Sequence, residues 1–163
     1  MSVVVSDTGP LHYLALCDAR DLLPRLFTRV FIPPTVFQEL QHSHTPAVIR
    51  EWAKSLPPWV IVKAPTSLDE SFKIDRGELE AICLAKEIQA SAILIDDRAG
   101  RTAALRYGLA VTGTIGVLEL AAVRGWIQLP EAFAKLQQTN LRLSPELMQA
   151  ALERAKERGQ RAR

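Results

Sequence analysis

Apolar residues along this chain follow two rhythms. Short runs, Val3-Val4-Val5, Arg29-Val30-Phe31-Ile32, Val60-Ile61-Val62, Ala92-Ile93-Leu94-Ile95 and Leu109-Ala110-Val111-Thr112, are nearly continuous. Between them, apolar positions recur every three or four residues. Continuous runs bounded by turn residues predict strands buried on both faces, the pattern of a parallel sheet, and the spaced stretches predict amphipathic helices. The helices are expected over residues 10–17, from Asp18 or Asp21 to Phe27, 35–41, from Thr45-Pro46 to Lys54, from Asp75 onward, 98–107, 115–123, 130–138 and 144–158. Residues 64–73 read as a loop. Strand, helix and strand over 92–111 predict a right-handed crossover between parallel strands. The first run reads as a central strand, and the fourth as the centre of the sheet. The fold class is α/β.

Composition narrows this without changing it. The 163 residues suit one ordinary domain with a substantial core, and many aliphatic but few aromatic residues suit a helix-covered sheet. A net charge of +2 is too small to announce nucleic-acid binding, although Arg154, Lys156, Arg158, Arg161 and Arg163 crowd the tail. Cys17 and Cys83 lie in apolar helical stretches and are expected as buried thiols in a reducing cytoplasm. No secretory signal is evident, and the apolar run 109–123 is interrupted too often to span a bilayer, so no membrane partner is expected.

Several polar residues then ask for an account. Asp7 follows the first strand, at the sheet edge where open α/β folds bind ligands, unless it only caps the next helix. Glu39 stands beside Leu40 on its helix and could equally be a solvated charge. Asp75 and Glu78 fit a capping box, yet Glu78 also heads the stripe Glu78, Ile82, Ala85 that should meet the sheet. Glu80 falls about 200 degrees away on the helical wheel and reads as a surface charge. Asp96 and Asp97 end the fourth strand; the structural alternative is one helix cap and one ion pair with Arg101. His42 and His44 read as a polar connection between helices, and Trp52 and Trp59 as packing residues.

Asp7, Glu39, Glu78, Asp96 and Asp97 can all reach one edge of such a sheet. Carboxylates a few ångströms apart repel by about 4 kcal/mol per close pair at an effective dielectric near 20. A cation would relieve that, and an oxygen-only ligand set points to Mg²⁺ or Mn²⁺ rather than zinc. Such an ion activates water and clamps a phosphodiester, so the implied chemistry is metal-dependent hydrolysis of a nucleic-acid backbone. Arg98 and Arg101 would hold phosphate there.

The motifs Val-Val-Ser-Asp-Thr-Gly-Pro-Leu at 4–11, Pro-Pro-Thr-Val-Phe-Gln-Glu-Leu at 33–40, Asp-Arg-Gly-Glu-Leu-Glu-Ala-Ile at 75–82 and Ile-Leu-Ile-Asp-Asp-Arg-Ala-Gly-Arg at 93–101 resemble the PIN-domain family. The likeness is to a less characterised branch related to the VapC-like toxin nucleases of toxin-antitoxin pairs, and it covers residues 1 to about 130. It implies a three-layer α/β/α domain over 1–130 with a mainly parallel sheet of four to five strands, and a C-terminal helical extension over 131–163. It also implies an acidic quartet that holds Mg²⁺ or Mn²⁺ and cuts single-stranded RNA: Asp7, Glu39, Glu78 and Asp97, with Asp96 a rival for the last place. Thr8 matches a hydroxyl that would assist a metal-bound water. Three positions depart from the family pattern: Gly9 replaces a polar residue, Glu78 a more usual aspartate, and Ile-Asp-Asp-Arg-Ala a threonine-x-aspartate motif.

The expected function is a Mg²⁺- or Mn²⁺-dependent endoribonuclease of the cytoplasm, the toxin of a type II toxin-antitoxin pair. An antitoxin would place an arginine in the acidic crevice, and the early helices would support a homodimer or higher homo-oligomer. The alternative is a PIN-like regulatory or RNA-binding protein that cuts weakly or not at all. A small phosphohydrolase on another doubly wound fold fits less well, because such enzymes usually place a second aspartate where Gly9 stands.

Overall fold

A computed structural model describes residues 2–161, so Arg163 of the basic tail lies outside the described residues. The sheet consists of β1 (Val3–Ser6), β2 (Arg29–Ile32), β3 (Val60–Val62), β4 (Ala92–Leu94) and β5 (Val111–Thr112). The strands run in the order β3-β2-β1-β4-β5, and every adjacent pair is parallel. The central strand is therefore β1, and β4 lies one place to its side, not at the centre. The chain leaves β1 outward through β2 and β3, then returns across the sheet to lay β4 on the other flank of β1. That reversal creates a switch point between β1 and β4, where a crevice opens beyond their carboxyl ends.

The β-branched run at the start makes this arrangement favourable. Val4 and Val5 are both fully buried but point to opposite faces, as alternate strand residues must. Val4 joins a core with Val30, Ile32 and Leu94, packed under α1 (Thr8–Leu16), α2 (Leu22–Leu26), α3 (Pro34–Leu40), α4 (Ala47–Lys54), α7 (Thr114–Val123), α8 (Leu129–Gln137) and α9 (Pro145–Arg161). Val5 joins Ile93 and Ile95 in a second core under α5 (Arg76–Glu87) and α6 (Arg98–Arg106). Helices, sheet and helices make the three-layer α/β/α fold.

Several finer expectations hold. Gly108, at φ 82°, ends α6 in the left-handed backbone region that a side chain would disfavour. Cys17 and Cys83 are buried free thiols, and burial pushes the Cys17 thiol up to about 11. Trp52 and Trp59 pack against each other, ring centroids 6.2 Å apart, at the margin of the larger core. His42 and His44 stack in the exposed turn between α3 and α4, where the His44 N–H donates to His42 Nδ1. The C-terminal helix folds back on α7 and buries Ala151, but Leu147, placed on the apolar face by periodicity, is 58% exposed. Among the described residues no helix is long and apolar enough to cross a membrane.

Candidate active site

The crevice is built from strand ends and helix starts. The Asp7 N–H donates to the carbonyl of Leu94 at 2.8 Å, which ties the ends of β1 and β4 together. Asp7 takes the N-cap position of α1, yet its side chain makes no capping hydrogen bond. It is nevertheless buried, at 8% exposure. Capping thus does not explain this carboxyl. Burial pushes it up to about 7, against a backbone hydrogen bond from Thr8 that lowers it, and Glu39, Asp96 and Asp97 raise it further by their charge.

Glu78 enters from the other layer. It stands on the first turn of α5, on the face that it shares with the buried residues Ile82 and Ala85. No side-chain bond from Asp75 caps α5, so the expected capping box is absent. Glu78 is instead turned into the crevice, towards Gly100 and the acids at the start of α6. Burial first, then the charges of Asp7, Asp97 and Asp75, push the Glu78 carboxyl up to about 8. A buried leucine or isoleucine contributes about 1.5–3 kcal/mol. Leu79, Ile82 and Leu84, all buried on the same helix, thus anchor α5 strongly enough to carry a carboxyl down with it.

The remaining candidates surround this pair. Glu39, exposed on α3, accepts a hydrogen bond from the Thr8 hydroxyl, so Thr8 joins the second acid to the first. A Cβ on Gly77 would lie 3.0 Å from Glu39 Oε1, and one on Gly100 would collide with the end of the Ile95 side chain and lie 3.2 Å from Glu78 Oε2. Glycine at 77 and 100 therefore lets α5 and α6 approach the acids without a clash. Asp97 caps α6, with Oδ2 accepting from the Gly100 N–H at 3.1 Å.

Asp96 has a separate task. Its Oδ1 accepts from the Thr114 N–H at 2.7 Å and its Oδ2 from the Thr114 hydroxyl at 2.6 Å, so it caps α7 rather than pairing with Arg101. Arg101 donates to the carbonyl of Ile95 at 3.1 Å, and Arg98 is exposed at the start of α6. A Cβ on Gly113 would come within 2.7 Å of Asp96 Oδ1, which explains a glycine before Thr114.

Two contributors escaped the sequence patterns. Glu80 is no surface charge; it is 7% exposed and accepts from the N–H and hydroxyl of Thr35 at 3.2 and 2.6 Å, and from Arg76 Nε at 3.0 Å. It thereby caps α3, the helix that carries Glu39. Thr114 is fully buried and holds Asp96. The helical wheel alone could not reveal Glu80, and the Gly113-Thr114 turn into α7 gave no sign that Asp96 would accept from Thr114.

The crevice thus gathers Asp7, Glu39, Glu78, Asp96 and Asp97 with Thr8 at its edge. As a donor set these residues fit a hard divalent cation: all are oxygen ligands, and two are buried with no positive partner among the described residues. Among the described residues, however, no group of three or more His, Cys, Asp or Glu already stands at ligating spacing. Gathering them on one ion requires side-chain movement.

A family model described as a PIN domain matches residues 3–157. The match runs past residue 130, through α8 and most of α9. No curated protein matches the chain.

Proposed function

This chain belongs to the PIN-domain family, whose members are generally nucleases that use divalent metal ions, and from that premise we propose that it is a Mg²⁺- or Mn²⁺-dependent endoribonuclease. The observation that carries this is the pair of buried carboxyls, Asp7 and Glu78, which meet further acids and no positive partner among the described residues. Burial of uncompensated carboxyls costs free energy that a bound divalent ion would relieve.

Asp7, Glu39, Glu78 and Asp97 would hold the ion. Asp97 is the better fourth ligand than Asp96, because only one of its oxygens is engaged whereas Thr114 occupies both of Asp96. When bound, the ion supplies an activated water and neutralises charge on the phosphodiester. Thr8 orients Glu39 through its hydroxyl, and Glu80 fixes α3, so that the exposed acid is presented to the buried ones. Arg98 and Arg101 would receive substrate phosphate beside the start of α6.

The toxin role follows the four motifs that resemble toxin nucleases. An antitoxin arginine would find uncompensated acids in the crevice, and association of copies would involve the early helices, where Val48 is 51% exposed. A second reading, a PIN-like RNA-binding protein that no longer cuts, is favoured by the lack of three carboxylates at ligating spacing among the described residues.

Replacement of Asp7 by Asn separates the two. The wild-type chain should cleave single-stranded RNA only with Mg²⁺ or Mn²⁺, and Asp7→Asn should reduce cleavage at least about 100-fold, as expected when a ligand rather than its outer support is lost. Calorimetric titration should show stoichiometric Mn²⁺ binding to the wild type and none to the variant. Wild-type protein that binds RNA but neither binds Mn²⁺ nor cuts would establish the second reading.

A further inference from the structure

A cleft of about 560 Å³ opens between β5, α7 and α9, and both Asp96 and Arg101 belong to its lining, so it is continuous with the acidic crevice. Its charge is opposite to that of the crevice. Arg142, Arg154 and Arg158 line it together with Arg101, against the two carboxylates Asp96 and Glu119. Asp96 is held by Thr114, and Glu119 is matched by Arg154 at 2.9 Å. Arg101, Arg142 and Arg158 form no ion pair among the described residues. Between the arginines the lining is aliphatic, including Ile115 and Leu143, and it contains no aromatic side chain among the described residues.

We propose that this cleft is the path of the single-stranded RNA as it leaves the acidic crevice, with its phosphates on Arg142 and Arg158 and its bases against the aliphatic lining. The proposal deepens and rests on the ribonuclease reading. A strand whose scissile phosphate lies beside Asp7 has to leave the crevice, and the arginines next to Asp96 offer the neutralising surface that the crevice lacks. Without aromatic platforms there is no base stacking, so binding should be tolerant of sequence and dominated by phosphate contacts. The fold-back of α9 supplies Arg158, which makes the C-terminal helix part of the binding surface.

The test uses the full chain carrying Asp7→Asn and a fluorescein-labelled single-stranded RNA, with anisotropy recorded in Mg²⁺ at several salt concentrations. Adding Arg142→Ala and Arg158→Ala should weaken binding at least about tenfold and flatten the salt dependence by about 1.4 in log-log slope, about 0.7 for each phosphate that is no longer neutralised. Arg158→Glu alone should weaken binding more than Arg158→Ala. Both arginines are exposed, so the variants should keep the parent's thermal midpoint. Unchanged affinity and slope would overturn the proposal even if the wild type cleaves RNA. Arginine-dependent binding of a polyglutamate peptide, with none of RNA, would overturn it in favour of an acidic polypeptide. Arginine-dependent RNA binding by a chain whose wild type cuts nothing would uphold the cleft and remove the ribonuclease reading.

Discussion

Three glutamates are buried to nearly the same degree in two different parts of the molecule, and they are treated differently. Glu119 on α7, 5% exposed, meets Arg154 of α9 through two hydrogen bonds at 2.9 and 3.2 Å. Glu80 on α5, 7% exposed, meets Arg76 and both donors of Thr35. Glu78, two residues from Glu80 and 6% exposed, meets the charges of Asp7, Asp97 and Asp75 and no positive partner among the described residues. Burial is common to all three, so burial alone does not mark the site. What marks it is burial without an internal counter-charge, and the fold neutralises buried acids wherever they serve only to hold helices together. On the proposed nuclease reading, an acid left uncompensated at the switch point of the sheet takes its partner from outside.

The contrast breaks if Arg154 can be removed at no cost. Arg154→Ala leaves Glu119 buried and unpaired, and the expected loss is about 1–3 kcal/mol, kept below the figure for a fully buried pair because the Arg154 side chain is 50% exposed. Urea denaturation measures it. A loss near zero would mean that water reaches Glu119, and that a buried glutamate here needs no partner at all.

The opposite sign is expected at Glu78. Its carboxyl and that of Asp7 are raised from 4.5 and 3.8 to about 8 and about 7, so the folded, metal-free protein holds their protons more tightly than the unfolded chain does. Stability from these groups is therefore complete below the unfolded values and falls as pH rises towards 7 and 8. In EDTA, Tm should decline from pH 5 to pH 8.5, and Glu78→Gln should flatten that decline. At pH 8.5 the variant should melt about 2–4 °C higher than the wild type, the shift that about 1 kcal/mol produces in a chain of this length. Added Mn²⁺ should raise Tm of the wild type at pH 8.5 and leave the variant nearly unmoved. A metal-free Tm that rises over this range would show that the two carboxyls are solvated.

The same contrast explains which features the amino-acid sequence reveals by itself. Strands β2 and β3 fall where the apolar runs end, because Pro33-Pro34 stops the first and Pro57-Pro58 precedes the second, so turn residues mark their limits. The acids after β1 and β4 were legible for a related reason: each is the first charge after a buried run, and the turn that follows leaves it at the sheet edge. Glu80 was not legible. Helical periodicity assumes one buried face, but every residue of α5 from Gly77 to Ala85 is buried, since β1 and β4 cover part of it while α3, α6 and the loop preceding α5, through Asp69 and Phe72, cover the rest. The capping box at Asp75 misled because the same spacing that caps a helix also directs Glu78 toward the crevice, and there the tertiary field decided. Strand order was likewise hidden, since β1 and β4 are equally apolar and only the return crossover places β1 in the middle.

Glu80 allows the smallest and most specific test of the comparison. Thr35 sits in the first turn of α3, and its hydroxyl and N–H both end on Glu80, so the position of Glu39 one turn further along depends on a carboxylate of another helix. Thr35→Val removes the hydroxyl donor and keeps the shape. The expected loss is about 1 kcal/mol, one hydrogen bond to a charged acceptor with Arg76 still in place. A loss of stability accompanied by weaker Mn²⁺ binding would place Glu80 among the residues that position Glu39. The same loss with Mn²⁺ affinity unaltered would confine Glu80 to holding α3 against α5.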